Sequence, residues 1–165
     1  MKRLLLLTLL TVGVLFLFGY LNQGYREEKI EKEAAQEEQE MRDFEDRRKY
    51  TDLYTTDLKN DFGDNFKELY IFENELNIHL FYYDLTEELA KTSAVKILEY
   101  LQKNNSKYDV EIRIATERRN DYGEKDEYNP FTLDVSNNTL YKFDFDFFDI
   151  DNLETTADQY HYFEY

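Results

Sequence analysis

Residues 76–87, LNIHLFYYDLTE, decide the fold. Leu76, Ile78, Leu80 and Tyr82 alternate with Asn77, His79, Phe81 and Tyr83, the two-residue period of a half-buried strand. Directly behind them, Asp84 and Glu87 have the spacing of a capping box, in which each side chain satisfies an orphan backbone donor at a helix start. The helix so opened runs to about Lys103, with Leu89, Ala90, Ala94, Ile97, Leu98 and Leu101 on one apolar stripe, and Asn104-Asn105-Ser106 ends it. Upstream, Phe66, Leu69, Tyr70, Ile71 and Phe72 lead into an acidic corner, Glu73-Asn74-Glu75, so that 66–82 forms a β-hairpin.

Downstream, Val110, Ile112 and Ile114 alternate with Glu111 and Arg113 as a further strand. From Glu117 to Pro130 the chain is polar without an apolar period, a long loop or an extended hairpin end, and Asp121-Tyr122-Gly123 makes it the best loop candidate for a binding site. Phe131, Leu133 and Val135 alternate up to a Ser136-Asn137-Asn138 turn. Tyr141, Phe143, Phe145 and Phe147 then share one face, with Lys142, Asp144 and Asp146 on the other, the pattern of a strand whose aromatics enter the core. The order β-β-α-β-β-β implies an α+β domain over 66–154, a small antiparallel β-sheet packed by one helix. The tail, 155–165, holds Tyr160, Tyr162, Phe163 and Tyr165 among acids. It is either one more strand or, together with Tyr122, interface material, since tyrosine offers large area with a polar tip.

At the other end, Lys2 and Arg3 precede an uncharged apolar run, 4–21. At about 1.5 Å per helical residue it covers roughly 27 Å, close to a bilayer core. Small residues are not placed for signal cleavage, so the expectation is a retained transmembrane signal-anchor, with secretion after cleavage as the alternative. Lys2 and Arg3 would keep 1–3 in the cytoplasm and put everything after 21 outside, at the cell membrane. Between anchor and domain, 22–65 is a charged stretch free of Pro that reads as a helical stalk ending near Gly63-Asp64-Asn65. In a heptad frame its seam is Ile30, Ala34, Glu37, Met41, Phe44 and Arg48. That suits a solvated single helix, or a coiled coil that self-associates or binds a partner.

The chemistry is bounded by inventory. With 36 acidic against 20 basic residues and a formal net charge of −16, the chain repels nucleic acid and favours cationic partners. It has no Cys, two histidines, His79 and His161, and three serines, Ser93, Ser106 and Ser136, none in a nucleophile context. Five scattered glycines build no phosphate-cradling loop. Asp144, Asp146, Asp149, Asp151, Asn152 and Glu154 would suit calcium by their oxygens, but lack the glycine and spacing of an EF-hand and equally make a solvated acidic edge. No catalytic, cofactor or metal residue is singled out. The expectation is a non-enzymatic, membrane-anchored extracytoplasmic interaction protein, an accessory or scaffold subunit of an envelope complex. The alternative is a tethered acidic inhibitor or immunity protein that masks a cationic toxin or enzyme.

Overall fold

The computed structural model describes residues 2–119 and 122–163, with side chains from residue 29 onward. The chain divides into two units, 1–48 and 49–165. Helix α1 is Lys2–Phe62. The expected single-pass membrane architecture is not borne out: among the described residues no helix is long and apolar enough to cross a membrane. From Lys29 to Phe62, 18 of the 34 residues of α1 are charged, and each charge at a bilayer centre costs at least about 2.5 kcal/mol. Residues 4–21, on which the span, the bilayer contact and the cell-membrane placement all rested, lie outside the described side chains.

The second unit begins with the last turns of α1, where Tyr54, Leu58 and Phe62 are buried. Gly63 stops the helix with a left-handed backbone, φ 57°, which costs glycine nothing. Strands β1 (Phe66–Phe72) and β2 (Glu75–Phe81) form the expected antiparallel hairpin. Helix α2 (Glu87–Lys103) follows, and its cap is Thr86, whose side chain accepts from the Leu89 N–H, rather than Asp84. Its end is a Schellman arrangement: Ser106 N–H bonds Leu101 O, Asn105 N–H bonds Gln102 O, and Asn105 takes φ 53°. Strands β3 (Asp109–Arg119) and β4 (Lys125–Val135) make a long hairpin, so most of the polar stretch 117–130 is strand. Two short helices, α3 (Asn137–Leu140) and α4 (Leu153–Thr156), precede β5 (Gln159–Tyr162).

The five strands lie in the order β1-β2-β3-β4-β5. The sheet is mixed, which corrects the antiparallel expectation: β2 and β3 run parallel, from Glu75 opposite Asp109 to Phe81 opposite Ala115. The cause is α2. A helix inserted between neighbouring strands carries the chain back to the end of the sheet where the first strand began, and this crossover makes the second strand parallel to the first. The other neighbours are antiparallel. The expected aromatic strand at 141–147 is absent as well. The outer edge of β4 is occupied by β5, and the backbone after β4 is held instead by turns and by Gln102, whose Nε2 donates to Leu140 O (2.8 Å) and Phe143 O (2.9 Å). Phe143 stacks on Phe145 and tilts against Phe148 at the core margin, while Phe147 is 87% exposed.

One face of the sheet carries Leu76, Ile78 and Leu80 of β2, Val110, Ile112 and Ile114 of β3, and Phe131, Leu133 and Val135 of β4, all buried. Ala90, Ala94, Ile97, Leu98 and Leu101 of α2 close the same core, each fully buried. Burying each large aliphatic side chain is worth about 1.5–3 kcal/mol. A polar clamp ties α2 to the C-terminal elements: Lys91 Nζ meets Glu87 at 2.9 Å and Glu154 at 2.8 Å, and Tyr160 OH donates to Glu87 at 2.7 Å. Glu154, counted in the sequence among acids suited to calcium, is thus paired to a lysine, and Asp149 accepts from the Asp151 N–H. Among the described residues, no group of three or more His, Cys, Asp or Glu is placed to hold a metal ion.

Two outcomes follow. Leu58→Ala should destabilise the fold by about 2–5 kcal/mol in denaturant melts, whereas Met41→Ala, on an exposed part of α1, should change it by less than about 0.5 kcal/mol. Equal effects would remove α1 from the core. Tyr160→Phe should cost about 1–2 kcal/mol at pH 7. The hydrogen bond from Tyr160, then that from Lys91, holds the Glu87 carboxyl below its ordinary value. Its contribution is therefore present above that value and lost as pH falls, so the gap between variant and wild type should narrow below about pH 4.3.

Candidate functional site

Strands that send apolar residues inward send polar ones outward. The outward face takes Glu68, Tyr70 and Phe72 from β1, Glu75, Asn77 and His79 from β2, Glu111 and Arg113 from β3, and Thr132 and Asp134 from β4. Register arranges them in rows. Tyr70, Asn77, Glu111 and Asp134 are successive cross-strand partners, and Glu68, His79, Arg113, Thr132 and His161 form the adjoining row. The parallel β2–β3 pairing sets the two rows side by side.

Arg113 lies at the centre and donates from Nε (2.9 Å) and Nη2 (2.6 Å) to Glu111 Oε1. This single guanidinium faces a surplus of carboxylates. Glu111 and Asp134 are direct cross-strand partners, a like-charge placement that destabilises a sheet. Loss of solvation pushes the Asp134 carboxyl above its ordinary value, and the Glu111 charge pushes it the same way, with Arg113 opposing. Glu75 is raised likewise, first by desolvation and then by Glu111 and Asp134. Asp134 Oδ1 is buried without a hydrogen-bond partner.

His79 sits between two further acids. Its Nδ1 is 3.8 Å from Glu68 Oε1 and its Nε2 3.4 Å from Glu127 Oε1, the latter contact out of line for a hydrogen bond. With Tyr70, Asn77, Arg113 and Asn129 it lines a shallow cleft on this face. The arrangement can accept hydrogen bonds and positive charge at several adjacent oxygens, the chemistry that receives lysine or arginine side chains. The serines are engaged elsewhere: Ser93 with Tyr82 OH, Ser106 with Tyr108 N–H, and Ser136 with Thr139 N–H.

The aromatic residues singled out in the sequence are dispersed. Tyr160 packs its ring edge-on to Phe131 and commits its hydroxyl to Glu87. Tyr162 is half-buried, and Phe163, 60% exposed, stacks on His161. Tyr162 and Phe163 line a second groove with Thr86, Glu87, Arg118 and Tyr128. Tyr122 is 90% exposed at the tip of the β3–β4 hairpin, outside that groove. Tyr165 lies outside the described residues. The outward acidic face escaped the sequence because its members are 75, 111 and 134, each an ordinary polar position in an alternating strand until the register joins them.

The raised carboxyl gives a signed outcome. A group whose folded value is raised stabilises while protonated and loses that contribution as pH rises through the folded value. Asp134→Asn should therefore melt above wild type at pH 7 and converge with it below about pH 3.9. A variant that melts lower at pH 7 would show that Asp134 is paired. Comparison with family models, curated proteins and solved structures finds no match for this chain.

Proposed function

We propose that this chain is a non-catalytic protein-binding module whose outward sheet face receives a cationic segment of another protein. The observation that carries this function is the direct opposition of Glu111 and Asp134, with Glu75 beside them, around one arginine. Such a face costs stability in the free protein. A lysine or arginine placed among the three carboxylates relieves the repulsion between them. The net charge of −16 acts in the same direction at longer range, by steering a basic partner toward the surface. Masking a cationic toxin or enzyme is the form of binding that this balance favours. The envelope-scaffold expectation depended on the membrane anchor and is not carried further.

The test is capture of crosslinked partners by the tagged full-length chain, followed by affinity measurement on the purified pair. The expected partner is basic, its association rate falls steeply with salt, and Glu75→Gln/Glu111→Gln/Asp134→Asn weakens binding at least tenfold without lowering the melting temperature. A neutral or acidic partner, or affinity indifferent to the triple substitution, contradicts the proposal.

A further inference from the structure

The first unit presents a second surface, independent of the sheet. On α1, Ile30, Met41 and Phe44 are 65%, 62% and 60% exposed. With Ala34, Glu37 and Arg48 they recur at alternating intervals of four and three, which places them on one stripe of a helix with 3.6 residues per turn. The rest of residues 29–48 is polar apart from Ala35. Large apolar side chains concentrated on one line of an otherwise charged helix are what helix-on-helix docking buries.

The flanks of the stripe select its occupant. The positions on either side are Glu31, Glu38 and Glu45 along one edge and Glu33, Glu40 and Arg47 along the other. Five of the six are glutamate. Two copies of this helix, in either direction, would set glutamate rows against glutamate rows, with Glu37 inside the seam, and flanking charge of this kind governs partner choice. A second copy is therefore the wrong occupant. Lys29 and Arg42 do ion-pair with Glu33 (3.5 Å) and Glu38 (3.1 Å), but both pairs are exposed i,i+4 contacts that leave the stripe itself open.

We propose that residues 30–48 dock an amphipathic helix of another protein, one with apolar residues at the same four-three spacing and lysine or arginine on both flanks. One basic residue on its apolar line would meet Glu37 and fix the register, as single polar residues do in helix pairs. This surface lies in the first unit and does not depend on the sheet face being functional.

The test uses the full chain and two three-heptad peptides of identical composition: one with leucine at the facing positions and lysine on the flanks, the other scrambled so that no apolar stripe forms. Fluorescence anisotropy should show the striped peptide binding at least tenfold more tightly than the scrambled one, since charge alone cannot tell them apart. Met41→Glu/Phe44→Glu should abolish that preference and leave the melting temperature of the 49–165 unit unchanged. The sheet-face triple substitution should leave the preference intact. Equal affinity for the two peptides, or a preference that survives Met41→Glu/Phe44→Glu, overturns the proposal. So does a homodimer in sedimentation that the same substitution dissolves.

Discussion

Helix α2 has to bury Ala90, Ala94, Ile97, Leu98 and Leu101, and the apolar surface flanking it in sequence is the inward side of the strands on either side. Laying the helix across that side forces β3 to start at the end of the sheet where β2 started. Parallel pairing follows, and with it the register that sets Asn77 beside Glu111 and His79 beside Arg113. The outward arrangement of charge is thus a consequence of where the apolar stripe of one helix goes. The C-terminal elements attach to this frame through Lys91, Glu87, Glu154 and Tyr160, so β5 closes the far edge of the sheet by polar contacts as well as by packing.

How much of this was legible depended on whether the information was local. The α2 stripe and its asparagine-rich stop, the 66–81 hairpin and the arrest of α1 at Gly63 all follow from periodicity and turn chemistry within short windows. Strand direction is not written in a strand: Val110, Ile112 and Ile114 would alternate identically in a parallel or an antiparallel ladder. The aromatic run 141–147 misled for a related reason. Its alternation is that of a strand, but a strand needs an edge, and β5 holds the one that β4 offers. The anchor expected at 4–21 was read from length and apolarity alone, whereas the described part of α1 is too charged to cross a bilayer.

The candidate site was hidden by the same gap. Glu75, Glu111 and Asp134 stand 36 and 23 residues apart in succession and each looks like an ordinary outward position. Their proximity exists only after two pairings, one of them parallel, are known. Tyr160 shows the converse error. As a tyrosine in an acidic tail it suggests an interface, yet its ring packs on Phe131 and its hydroxyl serves Glu87.

A sheet face that opposes two carboxylates and leaves one oxygen buried without a partner is poorer than it needs to be for stability alone. The central claim is therefore electrostatic. Carboxyl carbon NMR of the free protein, followed from pH 2 to 8, reads it residue by residue. Glu75 and Asp134 should titrate above the ordinary values for glutamate and aspartate, with Asp158, which accepts from the Ser136 N–H, below its own. If Glu75 and Asp134 titrate at or below ordinary values, the face is already satisfied within the chain and the cation-binding account fails.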